Sequence, residues 1–239
     1  MKKTILILAL LCLTISNAQK FKKIKGNGII TTVKRITSEY DKIIIEGSFE
    51  VKLIAGKEGN ISIKGDENLL EFIKTDVNDG TLSVNFERGK NIQFNYKSSI
   101  EITIPFEKIE KLEFSGSGIV TTSDIINSDN FEVEASGSGS VNFEANATNL
   151  KIKRSGSGSV GVKGNTQNLE VTSNGSGSTD AFDLLSENVT ANQSGSGSVR
   201  VNCNKSLSAN SSGSGSIYYK GKPEKVDKHS SGSGGISKS

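Results

Sequence analysis

Apolar and polar side chains alternate one by one through most of this chain, the signature of β-strands with one buried face. Phe131, Val133 and Ala135 fall on one side of such a run, with Glu132 and Glu134 on the other. The alternation continues through a short phrase, Ser-Gly-Ser-Gly. Leu169, Val171, Ser173, Gly175, Gly177, Thr179 and Ala181 share one parity, as do Leu207, Ala209, Ser211, Gly213, Gly215, Ile217 and Tyr219. Apolar residues and glycines are thus expected inside, and the serines of the phrase outside.

The phrase recurs at 115–118, 136–139, 155–158, 194–197, 212–215 and 231–234, with Asn174-Gly175-Ser176-Gly177 as a variant. Its first glycines, Gly116, Gly137, Gly156, Gly175, Gly195, Gly213 and Gly232, are spaced by 21, 19, 19, 20, 18 and 19 residues. A flexible linker needs no fixed period, whereas stacked coils bring the same glycine over the same glycine, where a Cβ would not fit. The sequence therefore predicts an all-β chain built as a parallel β-helix, or β-solenoid, with coils of about 19 residues. Asn130, Asn149, Asn168 and Asn188 precede successive apolar strands and predict an asparagine ladder at a corner.

Residues 26–112 lack the phrase but keep the alternation, in Ile43, Ile45, Gly47, Phe49, Val51 and Leu53, and again in Leu82, Val84 and Phe86. Only Leu69 to Lys74 suggests a helical turn. With no proline-rich boundary, residues 19–239 read as one solenoid domain, irregular over 19–112 and regular over 113–239.

Residues 1–18 read as a signal peptide: basic Lys2 and Lys3, an apolar run from Ile5 to Leu13, and a small-x-small site at Ser16-Asn17-Ala18. The apolar run is shorter than the roughly 20 residues a membrane-spanning helix needs. A mature chain starting near Gln19 is thus expected to be exported, to periplasm or cell surface, without membrane insertion. Bulky Leu11 before Cys12 argues against a lipid anchor. Losing Lys2 and Lys3 lowers the net charge from +3 to +1. A balanced chain offers no electrostatic reason to bind nucleic acid.

At this point the sequence resembles the head GIN domain family of auto-transporter adhesins, found in secreted bacterial proteins. The resemblance spans about residues 26–235. It is carried by Gly26-Asn27-Gly28, the Tyr40–Ile45 strand, Gly47-Ser48-Phe49-Glu50-Val51, Gly65-Asp66-Glu67-Asn68-Leu69-Leu70, Asp79-Gly80-Thr81-Leu82, Ile102-Thr103-Ile104-Pro105 and the Ser-Gly-Ser-Gly copies. It implies an exported β-solenoid with an adhesive or polysaccharide-binding role at the cell envelope, and it brings no site residues with it. No β-barrel or sorting domain follows Ser239, so the auto-transporter part of the family name is not expected to apply. Right-handedness is expected from the family and from the general preference of parallel crossovers.

The chemistry-bearing residues are few. One histidine, His229, and two cysteines cannot build a zinc cluster or a disulfide framework, and no cofactor or metal is expected. Neither a P-loop nor a dinucleotide fingerprint is present, and no Asp recurs after the glycine phrase as calcium-binding repeats require. Asp180, Asp183 and Glu187 share one coil and are the candidates for a polysaccharide-processing enzyme, but neighbouring coils carry Asn142 and Ala145 or Gly161 and Gly164 in those slots. Cys203 takes an inward parity. Of Tyr218 and Tyr219, one is expected inside and one outside.

The outward serines are the candidate ligand-binding array: Ser117, Ser138, Ser157, Ser176, Ser196 and Ser214, continued by Ser233, with a second column in Ser136, Ser155, Ser194 and Ser212. Strands about 4.8 Å apart would stack these hydroxyls into a surface suited to glycan, another surface polymer, or ordered water. The competing reading is that serine is simply the smallest polar residue a tight glycine turn tolerates. The sequence expectation is a non-catalytic adhesin-like or polysaccharide-binding module. The alternatives are the enzyme just named and a structural protein that forms homo-oligomers through its open sheet edges.

Overall fold

The computed structural model describes residues 23–93 and 99–239; the expected signal peptide and Cys12 lie outside them. No described helix is long and apolar enough to cross a membrane. The chain is 73% strand and 2% helix, a β-solenoid of about 7 turns with coils of about 19 residues.

The irregular part comprises β1 (Lys23–Lys25), β2 (Ile30–Ile36), β3 (Lys42–Glu46), β4 (Glu50–Ala55), β5 (Asn60–Asp66), a single turn α1 (Glu67–Leu70), β6 (Ile73–Asn78), β7 (Thr81–Phe86), β8 (Asn91–Gln93) and β9 (Glu101–Phe106). The regular part comprises β10 (Lys111–Gly116), β11 (Ile119–Thr122), β12 (Ile126–Gly137), β13 (Ser140–Gly156), β14 (Ser159–Gly175), β15 (Ser178–Gly195), β16 (Ser198–Gly213), β17 (Ser216–Lys220), β18 (Lys225–Ser231) and β19 (Ile236–Lys238).

Stacking order is not chain order at the N-terminal end. Strand β3 lies between β7 and β10, and β4 between β9 and β11, all parallel. The chain lays down the β3–β4 coil, adds the β7–β9 coil beneath it, then climbs past it to start the regular ladder. Antiparallel strands close that end, with β6 on β7, β5 on β9 and β2 on β5. Such pairing covers backbone groups that an open parallel edge would present to other chains.

Above this cap each coil repeats the last in register. One inward column runs Leu112, Val133, Ile152, Val171, Ala191 and Ala209, all buried. Each regular strand from β12 to β16 ends on the first glycine of the phrase and the following Ser-Gly forms the turn, which refines the sequence expectation. The first glycine turns the chain, with φ of +95° at Gly137, +94° at Gly156 and +95° at Gly175, and sits at the corner instead of inside. The second glycine is buried at Gly139, Gly158, Gly177, Gly197 and Gly215. Both Ser138 N and Gly139 N donate to Gly116 O, at 3.0 and 2.9 Å, and the same fork recurs on later coils. A Cβ on Gly137 would lie 2.5 Å from Gly116 O, so the close approach excludes any larger residue. The two-residue turn leaves the parity unchanged, which is why counting by twos places the flanking strands correctly.

Candidate functional site

Ser117, Ser138, Ser157, Ser176, Ser196 and Ser214 are all exposed, one per coil. They occupy the turn between successive strands, and the backbone N–H groups of Ser138, Ser157, Ser176, Ser196 and Ser214 donate to glycine carbonyls of the preceding coil. The result is a ridge of hydroxyls along a convex corner. None of the six lines any of the grooves described below.

A groove lies on another side of the stack, with a volume of about 970 Å³. One wall is the expected asparagine ladder. Asn149 Nδ2 donates to Asn130 Oδ1 at 2.8 Å, Asn168 to Asn149 at 2.8 Å and Asn188 to Asn168 at 3.1 Å, and Ser206 Oγ donates to Asn188 Oδ1 at 2.8 Å. The facing wall is the outward column two residues further along each strand, Lys111, Glu132, Lys151, Glu170, Thr190 and Ser208, held in register by the strand pairing. Between the walls the intervening residues, such as Leu150 and Leu169, turn into the core, so the floor is backbone.

A second ladder escaped the sequence analysis: Asn146 donates to Asn127 at 3.4 Å and Asn165 to Asn146 at 3.0 Å. It borders a groove of about 850 Å³. Its signal was present, since asparagines 19 residues apart recur there as they do at Asn130. The column ends at Leu185, which is 53% exposed where β15 slips register against β16.

Charges on these outer faces neutralise one another coil to coil. Lys151 pairs with Glu170 at 3.0 Å, and Lys153 with Glu132 at 2.7 Å and Glu134 at 3.1 Å. Hydrogen bonds to Glu132 and Glu134 hold the Lys153 ammonium above the usual lysine range. Exposed pairs of this kind contribute about 0–1 kcal/mol each, so their main effect is to cancel the surface field.

The three enzyme candidates do not share one groove. Asp180 and Asp183 line one shallow groove with Thr121 and Lys163, whereas Glu187 lines the second asparagine groove. Each carboxylate faces a cation: Asp180 meets Arg200 at 2.9 Å, Asp183 meets Lys220 at 3.5 Å and Glu187 meets Lys205 at 2.7 Å. Arg200 also stacks 4.2 Å from the Phe182 ring centroid. Among the described residues no cluster of three or more His, Cys, Asp or Glu could hold a metal ion. His229 is exposed on β18 beside Asn210. Cys203 is fully buried, its Sγ 3.1 Å from Ser206 O, and burial pushes the thiol up, away from nucleophile chemistry. Tyr219 points inward and Tyr218 outward.

One buried group was also missed. Arg154 occupies an inward position in the column Phe114, Ala135, Arg154, Ser173, Gln193 and Ser211, and is 2% exposed. Its Nε and Nη2 donate to Ser173 Oγ at 2.9 and 2.5 Å, and Nη1 donates to Gly156 O at 2.8 Å. Desolvation lowers its pKa. The guanidinium lies in the space left by absent side chains, since a Cβ on Gly177 would come within 2.7 Å of Nη1. Parity marks Arg154 as inward in the sequence, but its charge argued the other way.

Fold and surface together define a repeat protein that offers long, regularly spaced polar walls. The family model described as "Putative auto-transporter adhesin, head GIN domain" matches residues 39–223, and the chain belongs to that family. It is similar to a solved "putative adhesin" from Bacteroides fragilis, with 27% identity and a TM-score of 0.85 over 90% of this chain and all of that one. It is also similar to a "putative lipid binding protein" from Parabacteroides distasonis, with 28% identity and a TM-score of 0.73 over 91% of this chain and all of that one. A "putative adhesin" from Parabacteroides merdae shares the fold, with 21% identity and a TM-score of 0.72 over 91% of this chain and 99% of that one. No curated protein matches.

Proposed function

We propose that this chain is an exported, non-catalytic adhesin-like module of the bacterial envelope that holds an extended, hydroxyl-rich polymer along its stack. The observation that carries this reading is the repetition of the same polar group at the same place on successive coils, in both the serine ridge and the asparagine ladders. A polymer with a short regular repeat can make one contact per coil, and each further contact is then intramolecular, so avidity grows with length. Membership of an adhesin family supports the same reading. Lipid binding, the description borne by the Parabacteroides distasonis relative, suits this chain less. An acyl chain fits an enclosed apolar cavity, whereas both wide grooves here are open to solvent and carry asparagine and charged side chains along their walls.

The test is binding of purified residues 19–239 to a glycan panel graded by chain length. Affinity is expected to rise at least tenfold from a disaccharide to a hexasaccharide of the same linkage, with no product released. Length-independent binding or release of shortened chains would overturn the reading.

A further inference from the structure

Which surface receives the polymer follows from the two walls of the 970 Å³ groove. Each ladder asparagine uses one Nδ2 hydrogen on the preceding Oδ1. An amide has two such hydrogens and two carbonyl lone pairs, so every rung keeps one donor and one acceptor for a ligand. Because all the ladder bonds run in the same direction, the free groups repeat in the same orientation once per coil, about 4.8 Å apart. The serine ridge lacks this definition, since a hydroxyl has no fixed donor direction as a planar amide does.

The charges along the groove balance. Four lysines and four carboxylates line it, among them Lys151 and Glu170 paired at 3.0 Å, so it is neutral overall. A polyanion gains nothing there from long-range attraction and would have to displace paired carboxylates. Between the charged rungs at Glu170 and Asp227 the wall is Thr190 and Ser208, facing Asn188 and Ser206.

We infer that this groove is the seat of an uncharged polysaccharide, lying across the strands with about one sugar per coil and bound in one chain direction. The inference rests on the polymer-binding reading above. An extended peptide fits less well. Its side chains repeat on one face every two residues, about 6.6 Å, which falls out of step with rungs about 4.8 Å apart. A hexopyranose linked across its ring advances by about one coil, and its hydroxyls are donors and acceptors at once.

The test uses residues 19–239 with cello-, xylo- and manno-oligosaccharides as probes and a polyuronate as the anionic comparison. Thr190→Trp fills the groove without removing a ladder bond. Asn168→Ala removes one rung. Ser157→Leu with Ser176→Leu and Ser196→Leu coats the ridge instead. Each variant is checked for the parent's far-ultraviolet dichroism. The expected result is binding of an uncharged oligosaccharide that falls at least tenfold in Thr190→Trp and Asn168→Ala and stays within twofold in the ridge variant. Binding retained in both groove variants and lost in the ridge variant would overturn the groove assignment and leave the polymer reading standing. Preference for the polyuronate would overturn the uncharged class. Binding to none of the probes, by a folded parent, would overturn the inference together with the reading on which it rests.

Discussion

Gly177→Ala is expected to lower stability by about 3 kcal/mol, at the upper end for overpacking of a closed interior. The new methyl would collide with the Gly158 carbonyl of the preceding coil and would lie 2.7 Å from Arg154 Nη1. The side chain can shift, but the carbonyl belongs to the turn between β13 and β14, which Ser157 N and Gly158 N pin to Gly137 O of the coil before. In a chain of this size the loss corresponds to a fall in melting temperature of roughly 6–12 °C. Gly235→Ala serves as the control, because a Cβ there meets nothing within 4 Å. Its midpoint is expected within about 0.5 kcal/mol of the parent. Thermal melts followed by circular dichroism check both variants, and equal midpoints for the two would contradict the stacking of glycine on glycine.

The second large effect concerns the charge inside the stack. Ser173→Ala removes the oxygen that accepts from both Nε and Nη2 of Arg154, leaving Gly156 O, which accepts from Nη1. Hydrogen bonds to charged groups contribute about 1.5–3 kcal/mol, and stripping a buried ion of its partner costs more than the bond alone. A loss of about 3 kcal/mol is expected. Arg154→Met, of similar length and without charge, is expected to be neutral or stabilising, because it removes the cost of desolvating the guanidinium. In that background Ser173→Ala should cost less than about 1 kcal/mol. Urea denaturation of the four proteins of the cycle gives the coupling directly. A coupling near zero would show that Ser173 does not hold the arginine.

Both effects bear on what the sequence revealed. The period of about 19 residues, the inward parity of Cys203 and Tyr219, and the Asn130–Asn188 ladder are local or strictly recurrent features, and they are found where the pattern placed them. The insertion of the β3–β4 coil between β7–β9 and β10–β11 was not legible, because these strands share no recurring phrase to align them and their order is decided by packing. Arg154 was not singled out in the sequence, although alternation gives it an inward parity, because a buried charge is the exception among arginines. Its stem and guanidinium fit inside only because Gly177 and Gly197 leave room. The groove was invisible for a different reason. It is lined by outward residues of successive coils that strand stacking brings together, which alternation along one strand does not encode, while the serine ridge that alternation did expose lines none of the grooves described.

The ladder amides offer the most direct reading of where a ligand lies, because each Nδ2 group gives its own pair of nuclear magnetic resonance signals. With the uncharged oligosaccharide that binds most tightly, the account predicts that the side-chain amide signals of Asn149, Asn168 and Asn188 shift in proportion to saturation. The backbone amides of Ser157, Ser176 and Ser196 should remain in place. Shifts confined to those serines, with the three asparagine signals unmoved, would contradict it.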